Sequence, residues 1–162
     1  MVSNKSIIQN FGLPAENVSN MISWTVPDAI RFAPVPKRIY CHRLLVPMFT
    51  RAFRLIISRG LTAELKTWDG CYVERTIRGY EAKYAELFKT SPLEAAERYL
   101  SIHSWGLAFD INAFENQLGQ TPAMSPDLVK CFKDVGFDWG GDFKTRVDGM
   151  HFQVSTASLD AT

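Results

Sequence analysis

An α+β fold is predicted, a small single domain with a central antiparallel sheet flanked by helices. Three observations lead there. Stretches of helical periodicity and stretches of strand alternation follow one another without the regular β–α–β rhythm of a parallel sheet. The chain has 162 residues with 46% apolar and 22% charged side chains, which suits one soluble domain able to bury a substantial core. No internal repeat, linker or low-complexity tract divides it.

Residues 1–43 read as an N-terminal segment that wraps the body and belongs to the same domain. Pro14, Pro27, Pro34 and Pro36 break it into short turns and extended pieces, because each proline fixes φ and removes a donor. Ile7, Ile8, Phe11, Trp24, Val26, Ile30 and Phe32 allow it to dock. Residues 44–162 then form the main body. Phe49, Ala52, Phe53, Ile56 and Ile57 recur at helical spacing, predicting a helix over 47–59 with Pro47 in its first turn and Gly60 as its stop. Residues 61–68 and 71–77 read as two strands joined at Asp69-Gly70, a hairpin signal. Tyr80, Tyr84, Leu87 and Phe88 predict a helix, and Ser91-Pro92-Leu93-Glu94 has the capping-box form that opens another.

Gly106–Asn112 alternates as a strand, Leu107, Phe109 and Ile111 on one face, Ala108 and Asp110 on the other. Ser125-Pro126 opens a helix that Gly136 closes; 137–141 reads as a turn and 149–154 as a last strand.

Composition narrows the function classes. A formal net charge of +1 and the lack of a basic stripe leave no case for nucleic acid. The longest apolar run, Leu44 to Phe49, contains Pro47 and is far too short to insert in a membrane. Cys41, Cys71 and Cys131 lack CxxC spacing, and their odd count fits free thiols in a reducing compartment. The first residues lack a basic segment followed by an apolar run, so synthesis in the cytoplasm without a signal peptide is expected, as is a monomer.

Two fragments carry chemistry. Ser101-Ile102-His103-Ser104-Trp105-Gly106-Leu107-Ala108-Phe109-Asp110 sets an imidazole and a carboxylate seven residues apart, with Gly106 and Ala108 read as leaving room for an ion. Asp148-Gly149-Met150-His151 adds a second imidazole and a spare carboxylate. His103, Asp110 and His151 thus make the inventory of a catalytic zinc site, three protein ligands with the fourth position left open. Asp148 would take a proton from the attacking water and return it to the leaving amine. Arg75, or next Arg78, would face the oxyanion or a substrate carboxylate. Each residue also has a plainer reading: Asp148-Gly149 as a turn, the arginines as solvated, His42 as surface or capping.

The pattern Ser101-x-His103-x-x-Gly106-x-Ala108-x-Asp110 with Asp148-x-x-His151 resembles the zinc-dependent peptidoglycan peptidases of the M15 type. That group contains D-Ala-D-Ala carboxypeptidases, L-alanyl-D-glutamate peptidases and phage endolysins. Cys71-Tyr72, Arg75 to Gly79, Asp110-Ile111-Asn112 with Asn116, and Phe137-Asp138-Trp139-Gly140-Gly141 extend the likeness over roughly residues 44–154. Many members carry Glu where this chain has Asp148. The resemblance implies a hedgehog/DD-peptidase-like fold, zinc on His103, Asp110 and His151, Asp148 as acid/base, and Arg75 on substrate, with Arg78 and Ser101 beside it. It implies a peptidoglycan stem peptide as substrate and an endolysin-type endopeptidase that meets the cell wall after release from the cytoplasm. The alternatives are a D,D-carboxypeptidase or dipeptidase releasing D-Ala, and a non-catalytic wall-binding module stabilised by zinc.

Overall fold

The computed structural model describes residues 1–161. Helix α1 (Asn4–Phe11) is capped by the Ser3 hydroxyl, which accepts from the Ser6 N–H. Strands β1 (Met21–Thr25) and β2 (Arg38–His42) pair antiparallel, with Met21 opposite His42. Helix α2 (Leu45–Ser58) buries Leu45, Met48, Phe49, Ala52, Phe53 and Ile56, the stripe its periodicity predicts. Strand β3 (Trp68–Gly70) precedes helices α3 (Glu81–Phe88) and α4 (Pro92–Tyr99). Strand β4 (Ala108–Ile111), helix α5 (Pro126–Lys133), strands β5 (Phe137–Trp139) and β6 (His151–Val154), and a short helix α6 (Thr156–Asp160) complete the order. Four strands make one antiparallel sheet in the order β3-β4-β6-β5, the α+β architecture expected.

Register divides this sheet into two unlike faces. Phe109 lies opposite Phe152 and Asp110 opposite His151 on β4 and β6, so aromatic and ligand residues alternate across the same pairing. On the apolar face Phe109 and Phe152 stack at 5.2 Å. Phe49 of α2 meets Phe109 edge-on at 5.0 Å, and Phe132 of α5 lies 4.9 Å from Phe152. Both helices cover this face, which leaves the opposite one for chemistry.

The N-terminal segment docks on the turn that carries His103. The Trp105 indole N–H donates to Gly12 O at 2.9 Å, and the Asn17 amide donates to Trp105 O at 3.2 Å. The buried Asn4 amide ties α1 to the end of α4 through Ala96 O and Leu100 O. The His42 N–H donates to Gly106 O at 3.0 Å. Gly106 has φ +65°, and a Cβ there would stand 2.8 Å from the His42 backbone N. Its lack of a side chain therefore serves the close approach of β2, not room for an ion.

His42 itself is fully buried against Phe11, at 4.5 Å between rings, and not on the surface. Its Nδ1 accepts from the Leu44 N–H, while Nε2 is buried without a partner among the described residues. Burial first, then the Arg43 charge, lowers its pKa from 6.5 to about 4. The folded state holds the neutral ring, so its contribution is complete above 6.5 and lost as pH falls toward 4. Unfolding free energies from urea titrations between pH 7 and 4 are expected to show wild type losing up to about 3 kcal/mol more than His42→Gln.

Local signals are overridden in three places. The expected hairpin across 61–77 does not form: Trp68 pairs with Ile111 and Gly70 with Asp110, so the long-range partner takes the edge that a hairpin would have used. Asp69 instead accepts from the Ala113 N–H at 2.9 Å. Residues 137–139 are strand rather than turn, because β6 offers them a neighbour. Ser91 makes no side-chain cap despite the capping-box spelling, and Pro92 alone sets the start of α4.

Candidate metal centre and substrate cleft

His103 sits in a single 3-10 turn (Ile102–Trp105) that enters β4 through left-handed Gly106. Asp110 and His151 are cross-strand partners on β4 and β6. His103 Nε2 is 3.1 Å from Asp110 Oδ1 and 3.2 Å from His151 Nδ1, and His151 Nδ1 is 3.2 Å from Asp110 Oδ1. The three residues are 2%, 8% and 8% exposed. The structure thus gathers all three of the ligands named from the sequence into one triangle.

The outer nitrogens decide what that triangle accepts. His103 Nδ1 is 2.6 Å from Cys71 O, which can only accept, so the proton sits on Nδ1 and Nε2 presents a lone pair. His151 Nε2 is 3.0 Å from Gln153 Oε1, which likewise holds the proton outward and leaves Nδ1 free. With neutral rings, two nitrogen lone pairs and a carboxylate oxygen converge with no proton between them. Ligands about 2.0–2.1 Å from a tetrahedral divalent ion stand about 3.3 Å apart, close to these edges. The donor set fits a metal ion.

Electrostatics agree. Burial opposes ionisation of Asp110, but the hydrogen bonds and charges of His103 and His151 outweigh it and hold the carboxyl well below its usual range. Burial likewise opposes protonation of His151, yet Asp110 raises its pKa above the ordinary value. The cluster demands a positive charge at its centre, and a proton on His151 or a metal ion can supply it. Cys71 O and Gln153 are the orienting partners that sequence reading missed. Gln153 was legible: two residues past His151 on a strand, it must share that face.

Asp148 precedes β6 in the turn that Gly140 receives, its N–H donating to Gly140 O at 3.0 Å. Its Oδ1 is buried without a partner among the described residues, and burial raises its pKa, with Asp110 adding to the effect and His151 opposing it. Asp148 and His151 line a cavity of about 410 Å³ together with Arg75, Arg78, Ser101 and Gln153. His103 and Asp110 lie behind that wall.

Arg75 is placed by backbone, on an extended segment that is not the expected strand. Ser104 Oγ accepts from the Arg75 N–H and donates to Arg75 O, each at 3.1 Å, and the Ser101 N–H donates to Arg75 O at 2.9 Å. Ser101 is buried and acts through this backbone bond while also lining the cavity. Burial and the neighbouring Arg78 charge lower the Arg75 pKa, against the attraction of Asp110 and Asp148. A second hollow of about 500 Å³ shares Arg78 and Leu118 with the first and adds Phe114, Gln117 and Met150.

A family model of M15-type peptidases, described as D-alanyl-D-alanine carboxypeptidase, matches residues 94–154. That stretch contains His103, Asp110, Asp148 and His151, and the match bears out the resemblance read from those residues. Among solved structures, an L-Ala D-Glu endopeptidase of Serratia marcescens, ChiX, aligns with 21% identity over 71% of this chain and 84% of its own. The TM-score of that alignment is 0.35, a superposition too loose to carry an argument. No curated protein matches the chain.

Proposed function

We propose that this chain, with its M15-type signature over residues 94–154, is a zinc metallopeptidase that hydrolyses an amide bond in the peptide stem of bacterial peptidoglycan. The observation that carries the reading is the convergence of three lone pairs at one wall of a cleft, beside a buried carboxylate oxygen that has no partner among the described residues. A site built only to stabilise the fold needs no such carboxylate.

Zinc fits the two-imidazole, one-carboxylate set; when bound it would polarise the scissile carbonyl and bring the pKa of water down to roughly 7. His103, Asp110 and His151 would hold it, with Cys71 O and Gln153 keeping the imidazoles in the tautomers required. Asp148 accepts the proton of the attacking water and delivers it to the leaving nitrogen. Arg75, anchored by Ser104 and Ser101, faces charge that develops on the carbonyl oxygen.

The favoured activity is endopeptidase cleavage of the endolysin type, at L-Ala–D-Glu or a similar bond, acting on the wall after release from the cytoplasm. The description of the matching family favours a second reading, removal of terminal D-Ala by a carboxypeptidase. Purified protein incubated with peptidoglycan is expected to release new peptide ends, to lose that activity on chelation, and to regain it with zinc. Undiminished release after chelation would overturn the reading. Mass spectrometry of the products separates the two activities: free D-Ala means carboxypeptidase, an internal cut means endopeptidase.

A further inference from the structure

Phe114 is 86% exposed, more than any other large apolar side chain among the described residues. Scattered exposed apolar residues need no explanation, but a phenyl ring held rigidly at the mouth of a cavity does. The turn that carries it, Ala113–Glu115, follows β4 directly and is fastened on both sides. The Ala113 N–H donates to Asp69 at 2.9 Å, Glu115 pairs with Lys66 at 2.7 Å, and the buried Asn116 amide donates to Asn112 O at 2.9 Å. Asn116 O accepts from the Met150 N–H at 3.2 Å, which ties the turn to the residue beside His151. Fixed backbone therefore presents the ring, and little conformational freedom is lost when a ligand stacks on it.

Phe114 lines the hollow of about 500 Å³, with Ala113, Leu118 and Met150 as further apolar walls and Gln117 and Arg78 as polar ones. The hollow shares Arg78 and Leu118 with the metal cleft, so a substrate seated in the cleft meets it directly. An oily ligand would have no use for the Gln117 amide, and a polar peptide would have none for an exposed ring. The combination suits a pyranose. Its C–H face packs on an aromatic ring while its hydroxyl and acetamido groups exchange hydrogen bonds with a side-chain amide. In peptidoglycan the stem peptide hangs from N-acetylated amino sugars, and those sugars supply such a face.

We propose that Phe114, with Gln117 beside it, forms a glycan subsite that holds an N-acetylated sugar of the strand to which the stem peptide is attached. The proposal rests on the peptidase reading above and extends it from the peptide to the sugar. Stem peptides still joined to glycan would be preferred over stem peptides already free of it.

The test compares two substrates of one stem-peptide sequence, the first N-acetylated and the second carrying N-acetylmuramic acid at its N-terminus. Wild type is expected to show kcat/KM about 3- to 10-fold higher for the glycopeptide, the worth of one ring contact. Phe114→Ala is expected to bring the ratio toward one by slowing only the glycopeptide, and Phe114→Trp to keep it. Because the ring is exposed, neither change disturbs the core. A wild-type ratio near one, or a ratio unchanged in Phe114→Ala, overturns the subsite and leaves the peptidase reading standing. If neither substrate is cut, peptide-free glycan strands decide, their binding followed by NMR shifts in wild type and Phe114→Ala. Binding that Phe114→Ala weakens by a similar factor supports the subsite and sinks the peptidase reading alone. No binding, or equal binding by both proteins, overturns the subsite.

Discussion

His151→Ala is expected to release the metal and reduce hydrolysis to background, the largest effect of any single change. The variant leaves His103 Nε2 and Asp110 Oδ1 as the only ligand atoms of the triangle, 3.1 Å apart. Loss of an orienting partner in the outer shell already costs metal sites roughly 10- to 100-fold in affinity, and loss of a ligand costs more. Two further consequences follow from register. Gln153 loses the imidazole it orients, and Asp110 loses the cross-strand partner that favours its charge. Elemental analysis of dialysed protein beside a peptidoglycan digest measures both. Full zinc occupancy with full activity in this variant would refute the assignment of the centre.

The second large effect belongs to Asp148. Asp148→Asn is expected to keep its metal and lower kcat by about 10²–10⁴-fold, the usual worth of a positioned proton acceptor. The two variants therefore separate cleanly, one losing metal and the other only rate. Only the ionised carboxylate can accept a proton, so wild-type kcat/KM should fall as pH drops through the Asp148 pKa. Burial raises that pKa from its usual value, so the acid limb lies at higher pH than an unperturbed aspartate would give. The same burial makes the ionised group unfavourable to the fold. A raised acid pKa means that stability is lost as pH rises through it, so Asp148→Asn is expected to melt higher than wild type at pH 7. A kcat within a few-fold of wild type, or a pH profile with an unmoved acid limb, would assign the proton transfer elsewhere. Asp148→Glu keeps a carboxylate at this place and should recover part of the rate that Asp148→Asn loses.

Much of the candidate site was legible because its signals are short in sequence. His103, Asp110, Asp148 and His151 stand in two fragments whose spacing already implies a turn entering a strand. The stripe of α2 and the Pro and Gly that bound α5 depend only on neighbours within a turn or two of helix. Signals that depend on a distant partner mislead when read locally. Asp69-Gly70 has the local spelling of a hairpin, but β4 competes for Trp68 and Gly70 and wins through pairing that no window of ten residues contains. Gly106 has the spelling of a residue beside an ion, yet its reason is the backbone of His42, 64 positions earlier in the chain.

By itself, the sequence determined the candidate ligand types, their order, and the alternation that puts Phe109 and Asp110 on opposite faces. Only the tertiary structure decided that Asp110 meets His151 across β4 and β6, and that Cys71 O and Gln153 turn both imidazoles inward. It also decided that Arg78 and Arg146 share one cavity. The physical reason is range. Side-chain periodicity is set by bonded geometry a few residues long, whereas register, tautomer and charge clustering arise where segments far apart in sequence are packed into contact.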